Sequence, residues 1–553
     1  MKVVIVGGVA GGMSAATRLR RRAEDAHIVV LERGDHVSFA NCGLPYYVGG
    51  VIDDRESLLL ATPESLAARF ALDVRVRHEV TAIDRAAKVV RGRRRLTGEE
   101  FEESYDALIL APGAAPIVPD APGMERALVL RTVPDVDAMA AAVRRATGSA
   151  AARPTALVVG AGFIGLEVVE NLVARGFDVA VVELAGQVLA PLDPEMAVTV
   201  EDRLRERGVA LHLGRTVASA DAHPDRRSVV LDDGTQLPAD LLVAALGVRP
   251  DTAFAAAAGL EVDARGGLVV DAAHRTSDPA VFAVGDAVVK RDAIGGGPAH
   301  IPLAQTANRH GRTVADVLTG RDVTSPPVLG TAIVGLFGLQ VAATGWNEKR
   351  LRAAGRPYRA IHTHPTDHAG YYPGAQVMSL KLLVDPDTDA ILGAQGVGGT
   401  GVDKRIDVIA TAMRGGLSAT DLSELELAYA PQFGSAKDPV NMLGMIADNL
   451  AAGLVRTIQW HELDAAVAAG AQLVDVRSAA EHAGGAIPGA VDIPVDELRA
   501  RSGELAADRP VVVHCQVGAR GSVAAQLLRQ LGFDVANLDG GYRTWRDGTR
   551  AAG

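Results

Sequence analysis

The chain begins with a short apolar run, and the pattern that follows predicts a parallel α/β sheet. Val3 to Val6 are apolar, glycines come next, and helix-forming residues fill Met13 to Arg22. A second apolar run, Ile28 to Leu31, ends at Glu32. A buried strand, a glycine-rich turn, a helix and another buried strand together form a βαβ unit on a parallel sheet.

The same arrangement returns between Thr155 and Leu184. An apolar run at Ala156 to Val159 leads into a glycine turn and a helix. A second run at Val179 to Val182 follows and ends at Glu183. Because each βαβ unit with a glycine turn can hold one dinucleotide, the chain is expected to bind two.

Further strands and two more regions complete the pattern. Asp106–Leu110, Leu241–Ala245 and Val281–Val284 are short apolar runs that each lead into glycine, as buried strands often do. From about Pro326 to Leu443, alternating strands precede a helix, which indicates an α+β region. The last section, from about Gly453, has the pattern of another small α/β domain.

Composition narrows the class of protein. At roughly 100–200 residues per domain, 553 residues should form several domains. A hydrophobic fraction of 48% and a charged fraction of 22% exclude wholesale disorder. The net charge of −11 argues against a nucleic-acid partner. No apolar run reaches the roughly 18 residues that span a membrane, so no membrane association is expected.

The chain has only two cysteines, Cys42 and Cys515. Two thiols cannot build a disulfide scaffold or a thiolate metal cluster, so we expect no metal site. The opening residues MKVVIVGG have the pattern of a strand rather than of a signal segment, which predicts a cytoplasmic protein. In that reducing compartment, a sparse cysteine is expected to be chemical rather than structural.

The first glycine turn is Gly7-Gly8-Val9-Ala10-Gly11-Gly12. Glycines let the backbone approach a pyrophosphate at the helix N-terminus, and Glu32 is placed to accept a hydrogen bond from a ribose hydroxyl. Val9 replaces the middle glycine of the G-x-G-x-x-G motif. The alternative is therefore that these glycines only close a tight βα turn and bind no dinucleotide.

The second turn, Gly160-Ala161-Gly162-Phe163-Ile164-Gly165, has all three glycines of the motif. Glu183 suits a free 2′-hydroxyl and would repel a 2′-phosphate, which favours NADH over NADPH. Gly285-Asp286 follows a strand and places a carboxylate at its carboxyl end, where open α/β sheets bind ligands. A helix cap is an equal alternative for Asp286.

Around Cys42 the sequence reads S-F-x-N-C-G-x-P-Y. With the two βαβ units and Gly285-Asp286, this segment resembles the pyridine nucleotide–disulfide oxidoreductase family over about Met1–Leu450. The resemblance implies FAD in the first unit and NADH in the second, with NADPH left open. The cofactor-binding residues that we expect are Gly7, Gly8, Ala10, Gly11, Gly12, Glu32, Gly113, Gly160, Gly162, Gly165, Glu183, Gly247, Gly285 and Asp286.

Many flavin disulfide reductases of this family carry a second cysteine five positions after the first, and here that position is Tyr47. Cys42 therefore needs a sulfur partner from outside the protein. One single-cysteine branch, of NADH peroxidases and oxidases, cycles through a sulfenic acid and carries a histidine where this chain has Ala10. The other branch, of coenzyme A-disulfide and persulfide reductases, carries V-A-G-G as here.

The second branch implies a homodimer in which two tyrosines of the partner's dimerisation domain assist the chemistry. Tyr371 and Tyr429 match them, and Tyr372 is a neighbouring competitor. A phenol can donate a proton to a leaving thiolate. Half-buried packing is the alternative for both tyrosines.

Coenzyme A is anionic, so a chain with net negative charge must gather basic residues to bind it. By resemblance, the expected contacts are Ser14, Arg18, Arg21, Ser38, Asn41 and His300. Arginines that merely stabilise a helix C-terminus are the alternative. Phe70 stands where some relatives have a lysine, which leaves part of the phosphate site open.

Cys515 follows the apolar run Val511–Val513 in the loop H-C-Q-V-G-A-R, and a helix is expected from about Ser522 to Leu531. Backbone N–H groups, a helix N-terminus and Arg520 would stabilise an anionic sulfur there. With the segments Asp475-Val476-Arg477 and Gly540-Gly541-Tyr542, the region Thr457–Trp545 resembles rhodanese, which implies a persulfide carrier. Gly521 replaces the Ser or Thr that a cysteine phosphatase needs.

The resulting prediction is an α/β flavoenzyme of four domains: a FAD-binding domain at 1–122 and 247–325, an NAD(P)H-binding domain at 123–246, an α+β dimerisation domain at 326–447 and a rhodanese-like domain at 455–553. We expect NADH-dependent reduction of coenzyme A persulfide, coenzyme A disulfide or polysulfide, a choice that the sequence leaves open. An NADH peroxidase or oxidase and a sulfane-sulfur sensor are the alternatives. The rhodanese sulfur donor, and whether Cys42 and Cys515 communicate directly, stay open too.

Overall fold

A computed structural model of the chain describes residues 1–149, 153–223 and 226–552. It divides into two compact units. The first comprises Met1–Leu184 and Gly214–Val328, and the second comprises Ala185–Leu213 and Leu329–Gly553. Among the described helices, each is too short or too polar to cross a bilayer.

The first 116 residues begin with the predicted βαβ unit. The elements are β1 (Lys2–Val6), α1 (Ala10–Arg20), β2 (His27–Leu31), α2 (Leu44–Gly49), α3 (Pro63–Phe70), β3 (Asp73–Arg75), β4 (His78–Asp84), β5 (Val89–Arg94), β6 (Glu100–Ser104), β7 (Ala107–Leu110) and β8 (Ala114–Pro116). Helix α1 starts at Ala10, three residues before the expected Met13. The earlier start requires glycine at position 12, because a Cβ on Gly12 would lie 1.9 Å from the oxygen of Gly7.

The second βαβ unit follows a long helix. The elements are α4 (Val133–Ser149), β9 (Thr155–Val159), α5 (Phe163–Ala174), β10 (Asp178–Glu183), α6 (Pro194–Glu206), β11 (Ala210–Leu213), β12 (Val217–His223), β13 (Arg226–Leu231), β14 (Gln236–Pro238), β15 (Leu241–Ala244) and β16 (Val248–Pro250). Strand β9 pairs in parallel with β10 and β15, while β12, β13 and β14 form an antiparallel sheet. Helix α5 packs against α2, which follows Cys42.

The chain then returns to the first sheet. The elements are α7 (Ala253–Ala257), β17 (Val281–Ala283), β18 (Lys290–Arg291), β19 (Pro298–Ala299) and α8 (Ala304–Leu318). Strand β17 pairs with β7, so the first sheet has the parallel order β17-β7-β1-β2-β3. Its carboxyl edge brings the first glycine turn and Gly285-Asp286 to one side, as expected for a ligand site.

In the second unit, residues 329–452 form an antiparallel sheet with helices against it. The elements are β20 (Ala332–Leu336), β21 (Leu339–Gly345), α9 (Glu348–Ala353), β22 (Arg359–Thr363), β23 (Ser379–Val384), β24 (Ile391–Gly398), α10 (Val402–Gly415) and α11 (Pro439–Ala451). The strand order is β20-β21-β24-β23-β22. Helices α10 and α11 cover it through apolar side chains such as Ile406, Ile409 and Leu443, which agrees with the predicted α+β region.

The C-terminal part is a small parallel α/β domain, as predicted. The elements are β25 (Thr457–Ile458), α12 (Leu463–Ala468), β26 (Gln472–Asp475), α13 (Ala479–Ala483), β27 (Val491–Asp492), α14 (Val495–Arg501), β28 (Val511–His514), α15 (Ala519–Gln530), β29 (Val535–Leu538) and α16 (Gly541–Ala552). The strand order is β25-β29-β28-β26-β27. Helix α15 starts at Ala519, before the expected Ser522, because Gly518 takes a left-handed φ of 95° and turns the chain into the helix.

A buried charged cluster holds several elements of the second unit together. The Lys381 side chain on β23 is fully buried, and its Nζ lies 2.9 Å from Asp193 and 2.6 Å from Glu348. The Nζ also donates to Glu195 on α6. Asp193 accepts further hydrogen bonds from the Glu348 amide and from Gln395. Despite burial, the carboxylates hold the pKa of Lys381 well above its usual range, so the ammonium stays charged.

The same three carboxylates also have the spacing of a metal site. The Lys381 ammonium occupies the centre of this set, and it supplies the positive charge that three buried carboxylates require. The structure therefore presents the set as an internal ion cluster rather than as a cation site.

Replacing Lys381 should destabilise the second unit strongly. Lys381→Met removes the ammonium that three buried carboxylates share, and loss of one partner of a buried pair costs about 3–5 kcal/mol. We expect a clear drop in the thermal unfolding midpoint, measured by differential scanning calorimetry. As a matched control, Arg550→Ala removes an exposed pair with Asp202, which should cost at most about 1 kcal/mol. Equal midpoints for the two variants would contradict this role of Lys381.

Candidate active site

The first glycine turn closes so tightly that side chains are sterically excluded. Gly7 has a φ of +102°, and a Cβ there would lie 2.1 Å from the Ala111 oxygen. Glu32 directly follows β2, and its carboxylate accepts the Gly8 amide at 2.7 Å. The turn and the carboxylate thus form one assembly at the carboxyl edge of the first sheet.

The surroundings of this turn fit FAD. No side chain caps the N-terminus of α1, so its first N–H groups can bind a pyrophosphate. Asp286, in the short turn after β17, accepts a hydrogen bond from Arg131 at 2.8 Å. Gly113 lies beside the same guanidinium, which a Cβ would approach to 3.3 Å. Gly247, with a φ of +91°, has open space on its Cβ side.

The second glycine turn repeats this geometry. A Cβ on Gly160 would lie 2.5 Å from the Ala245 oxygen, and one on Gly165 would lie 2.0 Å from the Gly160 oxygen. The Glu183 carboxylate accepts the Ala161 amide at 2.7 Å. Gly162 differs, because a Cβ there would meet nothing within 4 Å. No side chain caps α5, so the open space over Gly162 suits the pyrophosphate of NAD(P)H.

Gly162→Ala therefore tests the second site without disturbing the fold. The φ of −80° at Gly162 suits alanine, and the methyl group would enter only the open space. We expect an unchanged unfolding midpoint and FAD content but a KM for NADH raised by roughly tenfold or more, since backbone approach to the pyrophosphate is blocked. Steady-state NADH oxidation measures this, and an unchanged KM would contradict the assignment.

Cys42 lies in a single 3₁₀ turn, Asn41–Gly43, at the start of α2. It is a free, exposed thiol, and its Sγ lies 3.9 Å from the side-chain oxygen of Asn41. Desolvation by the surrounding protein raises the pKa of the Cys42 thiol, and Glu167 raises it further. Arg131 acts in the opposite direction.

Glu167 is a residue that the sequence analysis did not single out. It lies on α5, and its carboxylate accepts a hydrogen bond from the Tyr46 hydroxyl at 3.2 Å. Burial raises the pKa of Glu167, and burial together with Glu167 raises the pKa of Tyr46 to about 12. A glutamate two residues after G-x-G-x-x-G was visible in the sequence, but its proximity to Cys42 was not.

Removing the Glu167 charge should make Cys42 more acidic. Glu167→Gln keeps the shape of the side chain and deletes a carboxylate that disfavours the thiolate. In a Cys515→Ser background, the pH midpoint for alkylation of Cys42 by iodoacetamide should move to lower pH. Tyr46→Phe is the control, because it retains the carboxylate. A midpoint that stays in place or moves upward in Glu167→Gln would refute this electrostatic coupling.

The structure places most of the expected coenzyme A contacts near Cys42 along the chain or on α1. Arg18 pairs with Asp316 of α8 at 2.8 Å, while Arg21 is exposed. Ser14 donates to the Asn308 carbonyl. The His300 Nε2 lies 2.6 Å from an Asp263 carboxylate oxygen. Ser38 and Asn41 are both partly exposed, and Ser38 has a left-handed φ of 48°.

The second unit brings the two predicted tyrosines together. The hydroxyls of Tyr371 and Tyr429 lie 3.0 Å apart, and the residues are 76% and 47% exposed. Their hydrogen bond raises the pKa of Tyr371, which keeps the phenol protonated. Tyr372, the competitor, makes an edge contact with His368 instead. Exposure of both hydroxyls argues against the alternative of half-buried packing.

Cys515 lies directly after β28 and is fully buried. The Gly518 amide donates a hydrogen bond to its Sγ at 3.2 Å, as expected for a loop that stabilises an anionic sulfur. Arg520 faces this loop, but its guanidinium is paired with Glu481 at 2.6 and 2.7 Å. That pair lowers the pKa of Glu481 to about 2.

Arg477 is the centre of a second group of contacts beside the Cys515 loop. Arg477 bonds Asp475 at 2.7 Å and stacks over the Tyr542 ring at 4.3 Å. Arg477 also donates to the Gln516 side chain. Burial lowers the pKa of His514 to about 4, so this imidazole is neutral at physiological pH. The D-V-R and G-G-Y segments signalled a resemblance to rhodanese, but these contacts were not visible in the sequence.

Comparison with known proteins agrees with this geometry. Three family models match: pyridine nucleotide-disulphide oxidoreductase at residues 1–311, its dimerisation domain at residues 331–439 and the rhodanese-like domain at residues 459–547. The coenzyme A disulfide reductase of Staphylococcus haemolyticus (strain JCSC1435) is 35% identical over 81% of this chain and 100% of its own length.

Two solved structures are similar over nearly the whole chain. Reduced Bacillus anthracis CoADR-RHD superposes with a TM-score of 0.96 at 45% identity, covering 99% of this chain and 98% of that one. An NAD-dependent persulfide reductase from A. fulgidus has a TM-score of 0.91 at 36% identity, covering 99% and 100%. The predicted fold class is confirmed. The chain is an oxidoreductase that belongs to the pyridine nucleotide-disulphide oxidoreductase family and carries a C-terminal rhodanese domain.

Proposed function

We propose that the chain acts as a homodimeric, cytoplasmic NADH-dependent flavoenzyme that reduces coenzyme A persulfide or coenzyme A disulfide at Cys42 and carries sulfane sulfur on Cys515. One observation carries this proposal: both cysteines are free thiols. A redox thiol without a second cysteine beside it cycles either through a mixed disulfide with a substrate sulfur or through a sulfenic acid. Ala10, which stands where the sulfenic-acid branch carries a histidine, favours the substrate sulfur. The names of the relatives, a coenzyme A disulfide reductase and a persulfide reductase, support such a substrate.

The two glycine turns would hold the cofactors. Gly7, Gly8, Ala10, Gly11, Gly12, Glu32, Gly113, Gly247, Gly285 and Asp286 would hold FAD, and Gly160, Gly162, Gly165 and Glu183 would hold NADH. Bound FAD would supply the means to convert hydride from NADH into an electron pair for sulfur reduction. The domain boundaries proposed for these roles are 1–122 with 247–325 for FAD, 123–246 for NADH, 326–447 for dimerisation and 455–553 for rhodanese.

Cys42 performs the sulfur chemistry in this proposal. Its thiolate attacks the inner sulfur of coenzyme A persulfide, forms a Cys42–coenzyme A disulfide and expels hydrosulfide with the electron pair of the broken S–S bond. Two electrons from the oxidation of NADH then cleave that disulfide, which restores the Cys42 thiolate and releases coenzyme A. Overall, coenzyme A persulfide, NADH and one proton give coenzyme A, hydrogen sulfide and NAD⁺.

The remaining residues bind substrate and manage the proton. Ser14, Arg18, Arg21, Ser38, Asn41 and His300 would bind coenzyme A. Tyr371 and Tyr429, contributed by the second copy of the chain, would donate a proton to the leaving thiolate, and their hydrogen-bonded hydroxyls suit that role. Cys515, with Arg520 beside it, would receive sulfane sulfur from a donor and transfer it to coenzyme A.

Substitution of each thiol should separate the two activities. Under anaerobic conditions, Cys42→Ser should lose at least about a hundredfold in NADH oxidation with coenzyme A persulfide or disulfide, because the nucleophile is gone. Cys515→Ser should match the wild type with free coenzyme A persulfide but fail when thiosulfate and coenzyme A must supply the sulfur. Absorbance of NADH at 340 nm and sulfide release measure both.

Hydrogen peroxide and polysulfide serve as comparison substrates in the same assay. Full turnover of Cys42→Ser with coenzyme A substrates would refute the central mechanism. Faster wild-type turnover with hydrogen peroxide than with every sulfur substrate would favour a peroxidase instead. Negligible turnover with all of them would favour a sensor.

A further inference from the structure

The rhodanese domain contacts the dimerisation domain of its own chain through a buried ion pair. On the edge strand β22, the His362 amide lies 3.0 Å from one carboxylate oxygen of Asp539, and the imidazole Nδ1 lies 2.6 Å from the same oxygen. Gln459 donates to that oxygen at 3.2 Å and to the Ala360 carbonyl at 3.1 Å. Both partners of the ion pair are almost completely buried.

The second ring nitrogen of His362 also faces a carboxylate. Its Nε2 lies 3.1 Å from Glu195 of α6, and that carboxylate belongs to the Lys381 cluster. An imidazole can donate hydrogen bonds from both nitrogens only when it is protonated. The geometry therefore requires a histidinium between Asp539 and Glu195, with Lys381 as the neighbouring cation.

The turn that carries Asp539 lies between His362 and the Cys515 loop. Gly540 and Gly541 both have a φ of 65°. A Cβ on Gly540 would lie 2.8 Å from the His362 Cβ, and one on Gly541 would lie 2.4 Å from the Cys515 oxygen. The next two amides, of Tyr542 and Arg543, donate to the carbonyls of Cys515 and Gln516 at 2.8 and 3.1 Å. One turn thus contacts the ion pair on one side and the sulfur-carrying loop on the other.

We propose that the His362–Asp539 ion pair positions the Cys515 loop for sulfur transfer, by holding the 539–541 turn against the Cys515 carbonyl. His362 and Asp539 are positioning residues, since neither touches the reacting sulfur. The inference rests on the sulfur-carrying role proposed above for Cys515. It adds that this role depends on a charge located in the dimerisation domain.

Sulfur transfer at Cys515 should therefore depend on pH, and it should slow as pH rises. Burial alone would favour the neutral ring, but Asp539, and then Glu195, raise the pKa of His362 to about 9. The ion pair is complete below the ordinary histidine pKa of about 6.5 and is lost as pH rises through about 9. Lys381 is the other charged group that faces the ring, and its raised pKa keeps it charged throughout.

His364 provides a matched control on the same edge. It is also buried and bonds the same domain, with Nε2 lying 2.8 Å from the Thr544 hydroxyl and Nδ1 lying 2.9 Å from that of Ser379. Burial, and then the nearby Arg543, lower its pKa well below the usual value. His364 is therefore neutral, and neither partner belongs to the 539–541 turn.

The quantity to measure is the rate at which thiosulfate converts Cys515 into a persulfide, which is called loading below. The Cys515 thiolate attacks the sulfane sulfur and forms a new S–S bond, while the S–S bond of thiosulfate breaks and sulfite leaves with its electron pair. Cys515 becomes a persulfide, and no external oxidant or reductant is consumed. Because formation of a thiolate can only raise this rate with pH, an alkaline decrease must come from another group.

We would measure the single-turnover loading rate by mass spectrometry of the full-length, FAD-loaded protein from pH 6 to 10. The wild type and His364→Gln should both show an alkaline decrease centred near pH 9, the pKa that His362 has in the folded chain. His362→Gln should load roughly tenfold more slowly at pH 7.5, which is within the range that misplacement of a reacting group costs, and should lack the decrease. Asp539→Asn, which removes the same ion pair from the other side, should show the same slower loading and the same loss of the alkaline decrease.

NADH turnover with coenzyme A persulfide at Cys42 and the unfolding midpoint are recorded for each variant. Wild-type loading and an unchanged pH profile in His362→Gln would overturn the inference. Loss of loading and NADH turnover together in both His362→Gln and Asp539→Asn would show general misfolding and would also overturn it. Cys515→Ser separates the two proposals, because persistent loading in that variant would refute the sulfur-carrying role of Cys515 itself.

Discussion

The second unit depends on the compensation of buried charge around Lys381. Lys381 lies on β23, an interior strand of an antiparallel sheet, and Asp193, Glu195 and Glu348 come from other segments of the chain. Each carboxylate would be costly in an apolar interior without the ammonium, so the elements that carry them are held in one arrangement. Through Glu195 the network continues to His362, and from there to the rhodanese domain. Charge pairing, rather than apolar packing alone, therefore specifies how this part of the chain assembles.

The two thiols are placed in opposite electrostatic environments. Cys42 is exposed, and its surroundings, including Glu167, disfavour the thiolate. Cys515 is buried, and the Gly518 amide donates directly to its sulfur. An anion at Cys515 is thus stabilised by the fixed backbone, whereas an anion at Cys42 needs a positive or polarising group to approach. This difference suits a carrier of persulfide in one domain and a thiol that is activated when cofactor and substrate are bound in the other.

Local sequence patterns predicted the fold well, but they could not predict polar contacts between residues that are far apart in the chain. Both βαβ units, the parallel C-terminal domain and the paired Tyr371 and Tyr429 were indicated by apolar runs, glycine turns and resemblance. Helices α1 and α15 start earlier than expected, because glycine can enter or precede a first turn when a neighbouring backbone passes close by. Glu167 and His362 could not have been found in this way. Their roles come from partners more than a hundred positions away, and no periodicity or motif records such a pairing.

Burial of Cys515 also limits what can exchange sulfur with it. A fully buried sulfur in a loop bounded by Gly518 and the 539–541 turn can be reached only by a small donor or by a thin, extended thiol. Thiosulfate has the first shape, and the pantetheine arm of coenzyme A has the second. The geometry that stabilises the persulfide thus also favours a low-molecular-weight acceptor, which is the same class of substrate that the unpartnered Cys42 requires.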